Sequence, residues 1–581
     1  MKILNKISTA LLIFCLCSFS YAKENEVKVK ITGVNKEMEE GIRSNLSILQ
    51  EYAEEGISDP KQLEQRAEQE ILIALQPHGF YEAKVTTEAH QEKDIWQFTF
   101  HITLGQPVIV RAIHFNVTGE GEKDPTLQGM LAYFPPKIGD TFIHEQYEQG
   151  KKALLSKAIQ SGYLAAIFSE HRVDVYPDTH SSEIYLTLAT GPRHYFGPVT
   201  FSDTVLSEKL LRRYLPFHEG EVYSPEKVVK LQSYLNQSDY FSQVNVKAQS
   251  EENSPYVPIL VELEDAKPNQ YIVGAGYGTD TGMRGKLGWT RRRLNSLGHR
   301  FSAQAQIAEI YNKVHVEYII PGKHPETDQT KLQAGFFEDE FSEKPSHIYE
   351  TGIIEEREIH GWQRNLSLTY HHERFNAFIT NDTVESKLIL PSITFIQVKR
   401  NDSATPNSGR RIELTMRGSI DALFSDTTFL QTYLQLKWLH AYSDSLKLLT
   451  RYDLGFTIPN DSERLPLSQR FFAGGDLSLR GYGYRSLPNE IDKNGIRHPV
   501  GGSYLAVGSV ELVKTIKKPF GVFTFFDAGN AFRQSGNEIA MGTGVGVEWQ
   551  TRLGPVKFAI AKPLTKTADS WRIHASFGPE L

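Results

Sequence analysis

The sequence predicts a two-part protein: three small α+β repeats, each a βααββ unit, followed by an all-β transmembrane barrel of about 16 antiparallel strands. A helix–strand pattern recurs three times in the first half of the chain. From Lys267 onward, segments of alternating polar and apolar residues follow one another between short turns. This second part also holds 30 of the 44 glycines, so long helices are disfavoured there.

The first 22 residues have the features of a secretory signal peptide. A positively charged start precedes an apolar stretch, residues 10–19, that is too short to span a bilayer, and a small–x–small cleavage site ends at Ala22. We therefore expect the mature chain to begin at Lys23. Both cysteines, Cys15 and Cys17, lie inside this segment, so the mature protein is expected to use neither disulfides nor a thiolate nucleophile.

The charge of the chain argues against a nucleic-acid partner. Its formal net charge is -7, and the densest basic cluster is the short run Arg291–Arg293. No run of 18 apolar residues follows the signal segment, so spanning helices are not expected.

The threefold repeat is centred on Gly79, Gly162 and Asp239, each of which is followed by two bulky residues. The centres are 83 and 77 residues apart, a spacing that suits tandem small domains better than a solenoid. The edges of such small sheets either accept a strand from a partner or client, or the repeats serve only as spacers. The predicted boundaries are 23–106, 107–191 and 192–266.

The barrel is predicted to occupy residues 267–581. In a typical strand, Leu434, Leu436 and Trp438 share one face while Gln435 and Lys437 share the other. A soluble β-sandwich shows the same alternation, but the signal peptide, the lack of cysteine in the mature chain and the aromatic residues at strand ends favour a membrane barrel.

One long glycine-rich loop, residues 459–502, interrupts the run of strands. It contains the stretch Arg470–Arg485, RFFAGGDLSLRGYGYR. Loops of this length are usually functional, although a glycine-rich surface loop with a solvated arginine is the simpler interpretation of the stretch alone.

The tandem repeats, the barrel, the motif RFFAGGDLSLRGY and the later FFDAGNAF together resemble the Omp85 superfamily of outer-membrane assembly and translocation proteins, whose repeats are called POTRA domains. The resemblance implies that the loop folds back into the barrel lumen. There the loop motif, Arg480, Gly481 and Tyr482, is expected to meet two anchoring acids, Glu511 and Asp527. Strand alternation supports this geometry, because both acids belong to the polar face of their strands.

The resemblance also implies an outer-membrane location with the repeats in the periplasm of a Gram-negative cell. Three repeats, rather than five or two, and the ending Gly-Pro-Glu-Leu indicate a branch that works with a TamB-like protein anchored in the inner membrane. Its clients are unfolded outer-membrane proteins or autotransporters in contact with the lipid bilayer. The alternatives are a two-partner-secretion pore that exports an unfolded exoprotein and a solute-conducting porin, although a porin has no use for partner-binding repeats.

The seam between the first and last strands is a second candidate site. The first strand places Gly274, Gly276 and Gly278 on one face, so side chains anchor it poorly. In the last strand, Trp571 and Phe577 share the apolar face. The glycines have two compatible interpretations. They make room for the inserted loop, and they leave a weakly paired seam that opens sideways so that its edge templates client strands.

Short motifs that suggest catalysis fail on inspection. The run GAGYG at Gly274 lacks the dinucleotide-binding spacing, and His144-Glu145 lacks the second histidine of a zinc protease helix. GGSYL at Gly501 lacks the second glycine of a nucleophile elbow. We therefore expect no enzymatic activity, and no catalytic residue, cofactor or metal site is predicted.

Overall fold

The computed structural model describes residues 28–577 except for 48–59, 93–94, 250, 252–253, 280–281, 340–344, 377–382, 402–405, 459–463, 492–496, 534–537, 552–553 and 566–569. The predicted signal peptide and the final Gly-Pro-Glu-Leu lie outside the described residues. The chain divides into two compact units, one built on the first two repeats and the other on the barrel, and the third repeat contributes segments to both.

The first repeat is a three-stranded sheet with two helices. Its elements are β1 (Lys28–Thr32), α1 (Lys36–Asn45), α2 (Pro60–Leu75), β2 (Lys84–Glu92) and β3 (Ile95–Thr103). The strand order is β1-β3-β2, with β1 parallel and β2 antiparallel to β3. Asn35 caps α1 by accepting a hydrogen bond from the Met38 amide at 2.9 Å. The apolar faces of α2 and β3 are fully buried against each other through Ile71, Leu75 and Phe98.

The second and third repeats have the same order of strands, β4-β6-β5 and β7-β9-β8, which confirms the repeat inferred from the sequence. The second repeat comprises β4 (Ile109–Thr118), α3 (Pro125–Gln128), α4 (His144–Gln160), β5 (Ile167–Tyr176) and β6 (Ser181–Ala189). The third comprises β7 (Tyr195–Phe201), α5 (Glu208–Leu211), α6 (Pro225–Gln237), β8 (Phe241–Ala248) and β9 (Tyr256–Asp265).

The residue at the centre of each repeat lies where a helix gives way to a strand. Gly79, Gly162 and Asp239 have φ values of 90°, 93° and 64°, a left-handed conformation that favours glycine and tolerates aspartate. This conformation redirects the chain so that the next residue enters the core. Tyr163 and Tyr240, which follow two of the centres, are buried there.

The second part is a single sheet of 16 antiparallel strands in sequence order, as predicted. The strands are β10 (Asn269–Gly278), β11 (Gly282–Arg291), β12 (Arg300–Ala308), β13 (Tyr311–Pro321), β14 (Gln329–Asp339), β15 (Ser346–Ile359), β16 (Trp362–Asn376), β17 (Thr383–Arg400), β18 (Gly409–Ser419), β19 (Phe429–Ser443), β20 (Leu446–Ile458), β23 (Tyr504–Lys517), β24 (Phe520–Phe532), β25 (Ala540–Thr551), β26 (Gly554–Pro563) and β27 (Arg572–Phe577). The numbers β21 and β22 belong to two short strands in the loop between β20 and β23, Asn489–Ile491 and Arg497–Pro499.

Alternation along the strands gives the barrel an apolar outside and a polar inside. In β25, Val545, Val547 and Trp549 are 64%, 55% and 50% exposed, whereas Glu548 between them is 2% exposed. Such a surface suits a barrel surrounded by lipid. Of the helices in the described part of the chain, none is long and apolar enough to cross a membrane.

The two ends of the barrel differ. At the end where β10 begins, here called the proximal end, the third repeat contacts the turns between strands: the Tyr240 hydroxyl donates to the Gly298 carbonyl at 2.5 Å, and Arg213 donates to the Pro321 carbonyl at 2.8 Å. The long loop leaves β20 at the opposite, distal end, since successive strands alternate in direction.

Candidate functional site

The loop between β20 and β23 lies against the inner wall of the barrel. Phe471, Ala473, Leu479, Tyr482 and Leu487 are buried in one apolar cluster with wall residues of β23, β24 and β25. An apolar cluster inside a polar lumen provides a dry surface on which the loop can rest.

Two glycines allow the loop backbone to approach the wall closely. Gly481 has a φ of 95°, and a Cβ atom there would lie 3.1 Å from the Pro563 nitrogen. A Cβ on Gly542 of β25 would lie 2.0 Å from the Arg480 carbonyl oxygen. The wall therefore needs glycine at Gly542 as much as the loop needs it at Gly481.

The Arg480 guanidinium meets both predicted acids. Its Nε and Nη2 donate to the two carboxylate oxygens of Asp527, each at 2.8 Å, and its backbone N–H donates to the same carboxylate at 3.0 Å. Nη1 donates to Glu511 at 2.5 Å, and Nη2 also donates to Ser509 at 3.1 Å. The guanidinium carbon lies 3.4 Å from the centre of the Phe525 ring, within the range of a cation–π contact.

The burial of these groups determines how strongly the cluster holds the loop. Arg480, Glu511 and Asp527 are 7%, 3% and 0% exposed. A wet lumen would make the pair worth about 0–1 kcal/mol, whereas removal of one partner from an enclosed pair costs about 3–5 kcal/mol. The cluster therefore belongs to the enclosed case, and its geometry is bidentate and fully hydrogen-bonded.

Lys557 of β26 completes the charge balance, although we did not predict it from the sequence. Its ammonium group donates to the second oxygen of Glu511 at 2.5 Å and lies 3.4 Å from Glu548, which Lys447 approaches at 3.1 Å. Lys557 stands directly opposite Glu548 in the β25–β26 ladder. This cross-strand pairing of opposite charges was the available signal, but it can be recognised only once the strand register is known.

The other two motif residues are held by neighbouring strands. The Tyr482 hydroxyl donates to the Met541 carbonyl at 3.1 Å and bonds the Thr565 hydroxyl at 2.5 Å. The Gly481 amide donates to Nε2 of His574, in the last strand, at 2.9 Å. Together with Arg480, the motif touches β23, β24, the β25–β26 region and β27.

The seam lies between β27 and β10. The ladder of the described strands runs from β10 to β27 without a pairing between these two, and β27 is only six residues long. Trp571 and Phe577 are 63% and 57% exposed, on the outer surface. Gly274, Gly276 and Gly278 fall together on one face of β10, which pairs on its other side with β11.

One loop residue, Asp476, contacts both strands at the seam. It accepts hydrogen bonds from the Thr279 hydroxyl at 3.1 and 3.3 Å and contacts Nδ1 of His574. The Thr279 oxygen in turn accepts the Ala575 amide at 3.1 Å. We call Thr279, Asp476 and His574 the Asp476 bridge. We did not predict it from the sequence, where its available signals were an aspartate within the glycine-rich motif and a histidine on the inward face of the last strand.

Comparison with known proteins agrees with the fold. The family model described as the Omp85 superfamily domain matches residues 294–580, that for POTRA domain TamA domain 1 matches 28–104, and the POTRA model, described as surface antigen variable number repeat, matches 194–264.

Two curated relatives carry the name outer membrane protein assembly factor BamA. The one from Nitratidesulfovibrio vulgaris is 21% identical, over 93% of this chain and 71% of its own length. The one from Neisseria meningitidis is 20% identical, over 86% of this chain and 70% of its own length.

The crystal structure of BamA from Haemophilus ducreyi lacking POTRA domains 1–3 has the same fold, with a TM-score of 0.63 and 19% identity, over 80% of this chain and 99% of that one. The three family-model matches, together with the POTRA-type sheets and the barrel of 16 strands, show that the chain belongs to the Omp85 superfamily and carries POTRA domains.

Proposed function

We propose that the protein is an outer-membrane assembly factor of the TamA type, which promotes the insertion or secretion of β-barrel proteins and autotransporters. In this proposal the barrel lies in the outer membrane and the repeats extend into the periplasm, where they engage a TamB-like partner anchored in the inner membrane. No chemical reaction is involved, since the work done on the client is the pairing and release of strands.

The observation that carries this proposal is the construction of the seam. Neighbouring strands elsewhere in the barrel are joined by long ladders, for example 13 residue pairs between β15 and β16. At the seam, the described contacts are the Ala575 amide to Thr279 and the Asp476 bridge. A free strand edge is a ready template for another strand, so parting of this seam would present one to a client.

Two further observations support the proposal. The family model over the first repeat is that of a TamA domain, and the two curated relatives are named as assembly factors. The three repeats also suit a protein that holds partners better than they suit a porin. The rival is an export pore of the two-partner-secretion type; a large and steadily open conductance in planar bilayers would favour that rival.

Locking the seam tests the proposal. Thr279 and Ala575 are replaced by cysteines, because the Thr279 hydroxyl and the Ala575 amide are already 3.1 Å apart, and the pair is oxidised in cells that express an autotransporter client. We expect client assembly to stop and to recover after reduction. Client assembly that continues with the seam fully locked would show that opening of the seam is not used.

The matched control places the two cysteines in a permanent ladder. Val545 and Ile560 face each other across β25 and β26, and both are exposed on the outer surface. Oxidation of this pair leaves the seam free, so client assembly should continue.

The partner is tested separately. Full-length protein carrying an affinity tag is purified from crosslinked membranes, beside a variant that lacks the first repeat. We expect a large inner-membrane protein to be recovered with the full chain. Recovery of an exoprotein instead would favour the export pore.

A further inference from the structure

A groove in the outer wall of the barrel lies on the opposite side from the seam and has no part in the proposed function. It has a volume of about 1010 Å³ and extends across strands β15 to β20, the sixth to the eleventh of the 16 strands. Its lining is mostly apolar and includes Leu368, Leu430 and Ile458, which are 50%, 50% and 49% exposed on the outer surface. The groove is therefore continuous with the lipid-facing surface of the barrel.

We propose that this groove binds an acyl chain of a bilayer phospholipid. Apolar walls that face an empty space lose dispersion contacts, and an apolar cavity does not hold water. Inside the hydrocarbon layer of a membrane, a lipid chain has the chemistry that fills such a space. The inference rests on contact between the barrel and lipid and does not depend on client assembly.

Two residues make the wall concave at this place. Pro391 has no N–H group to donate to a ladder, and the pairing of β17 with β18 stops beside it, at Ser392 and Arg417. Gly418, the next residue of β18, has no side chain, and a Cβ atom there would lie 2.5 Å from the Phe429 carbonyl oxygen. Both Pro391 and Gly418 line the groove, so the wall is thin where neighbouring positions carry larger side chains.

The turn between β18 and β19, residues 420–428, lies at the distal end of the groove. It replaces β18 as the neighbour of β17: the Lys387 amide donates to the Asp426 carboxylate at 2.7 Å, and the Asp426 amide donates to the Lys387 carbonyl at 2.8 Å. Ile420 and Leu423 line the groove but remain 53% and 57% exposed. Apolar side chains left exposed beside an apolar groove suit contact with lipid better than contact with water.

The groove has the depth of one leaflet of a bilayer. Tyr349, His372 and Lys387 lie side by side in register on β15, β16 and β17, and tyrosine and lysine are typical of the level where hydrocarbon meets the lipid headgroups. From there the groove follows β17 from Ile389 to Ile393, a length of about 13 Å. Half of the hydrocarbon thickness is about 15 Å. A lipid whose headgroup lies at the level of Lys387 can therefore place a chain along the groove.

Three polar side chains of the lining are bonded within the protein. Glu355 is paired with Arg364 at 2.7 Å, and the Ser419 hydroxyl donates to a backbone carbonyl at 2.6 Å. Arg417 donates Nε to the Gln431 side chain at 2.8 Å. These bonds satisfy polar groups that would otherwise disfavour an apolar occupant, so the groove selects its ligand by shape and apolar contact.

The test is native mass spectrometry of the full-length protein after extraction into detergent from vesicles of palmitoyl-oleoyl phosphatidylglycerol. We expect one phospholipid to remain bound after a detergent exchange that removes the lipids on the flat parts of the outer surface. Protein that retains no phospholipid under these conditions overturns the proposal.

Variants that fill the groove locate the bound lipid. Ile393 and Met416 face each other across β17 and β18, and both line the groove. Ile393→Trp and Met416→Trp should each lower the fraction of protein that retains lipid by about fivefold or more, because the indole ring takes the space of the chain. Val545→Trp is the matched control, since it adds the same ring to the outer surface of β25, where Val545 is 64% exposed, and it should leave retention unchanged.

Heat-modified gel mobility verifies that each variant is folded. Retention by both folded groove variants at the level of the unchanged protein would place the lipid elsewhere and overturn the proposal, as would an equal loss in Val545→Trp. Neither a client nor a partner is present, so the result is independent of assembly activity.

Discussion

The inserted loop is held in two different ways on its two sides. Towards β23 and β24, Arg480 is locked by a bidentate pair with Asp527 and a second acid, and all three groups are almost fully buried. Towards the seam, Asp476 is held by Thr279, which is exposed, and by His574. One side is a buried ionic network, and the other combines a hydrogen bond from an exposed threonine with a largely buried aspartate–histidine contact.

This difference indicates which of the loop's contacts persist and which break when the seam opens. A buried ion pair that loses a partner costs about 3–5 kcal/mol. The exposed Thr279 hydroxyl makes one hydrogen bond to a neutral amide, which contributes about 0.5–1.5 kcal/mol, and one to the charged Asp476, which contributes about 1.5–3 kcal/mol. The cost of separating the seam contacts is therefore the smaller one. In the proposed mechanism the loop remains on the β23–β24 wall while β27 and β10 separate beside it.

The largest expected effect comes from Arg480→Ala. The substitution leaves Asp527 buried without its cation, so we expect the free energy of unfolding to fall by about 3–5 kcal/mol. Urea unfolding of the protein in lipid vesicles measures this change. Arg411→Ala, which breaks a partly exposed pair with Glu413, should cost about 0–1 kcal/mol; equal losses for the two variants would mean that the Arg480 cluster is not enclosed.

A double substitution sharpens the same comparison. Because Arg480 and Asp527 act on each other, the loss in Arg480→Ala combined with Asp527→Asn should be smaller than the sum of the two single losses. Additive losses would show that the two residues do not stabilise each other in solution.

The second effect in size is that of Lys557→Gln. Glu511 keeps Arg480 and Glu548 keeps Lys447, so each acid retains one cation. We expect a loss of about 1.5–3 kcal/mol, the contribution of a charged hydrogen bond, in the same unfolding experiment. A loss equal to that of Arg480→Ala would mean that Lys557, rather than the loop, anchors the acids.

The sequence predicted well the contacts that the loop makes through Arg480 with β23 and β24. Alternation along the strands determines which residues face the lumen, so Glu511 and Asp527 were expected on the polar face, and the resemblance to the superfamily paired them with Arg480. The number of strands followed from the same alternation, because a strand with one face toward lipid and the other toward a polar lumen leaves a period of two in the sequence.

The seam side was not predictable in the same way. Thr279 lies 197 residues before Asp476, and His574 lies 98 residues after it. Their contact depends on the closure of the barrel and on the path of the loop. The glycines of β10 indicated a weak seam, but no local pattern indicates which side chains cross it. The same holds for Lys557, which is recognisable only through the register of β25 and β26.

The third effect concerns the seam alone. Asp476→Asn removes the negative charge that faces His574 and weakens the acceptors for Thr279, so we expect the seam to separate more often with little change in global unfolding. Spin labels at Tyr277 and Ile573, both exposed on the outer surface, report the distance across the seam by electron resonance. The distribution should broaden to longer distances, whereas Asp444→Asn, in an exposed turn, should leave it unchanged.

The smallest expected effect is that of Thr279→Val. Valine has nearly the shape of threonine but lacks the hydroxyl that accepts the Ala575 amide and donates to Asp476. Because Thr279 is exposed, water replaces part of what is lost, and the seam should weaken by about 0.5–1.5 kcal/mol. Thr279→Ser keeps the hydroxyl and should retain the distance distribution of the unchanged protein. If Thr279→Val widens the seam as much as Asp476→Asn does, the hydroxyl carries most of the closure; if it has no effect, contacts other than the Thr279 hydroxyl hold the seam closed.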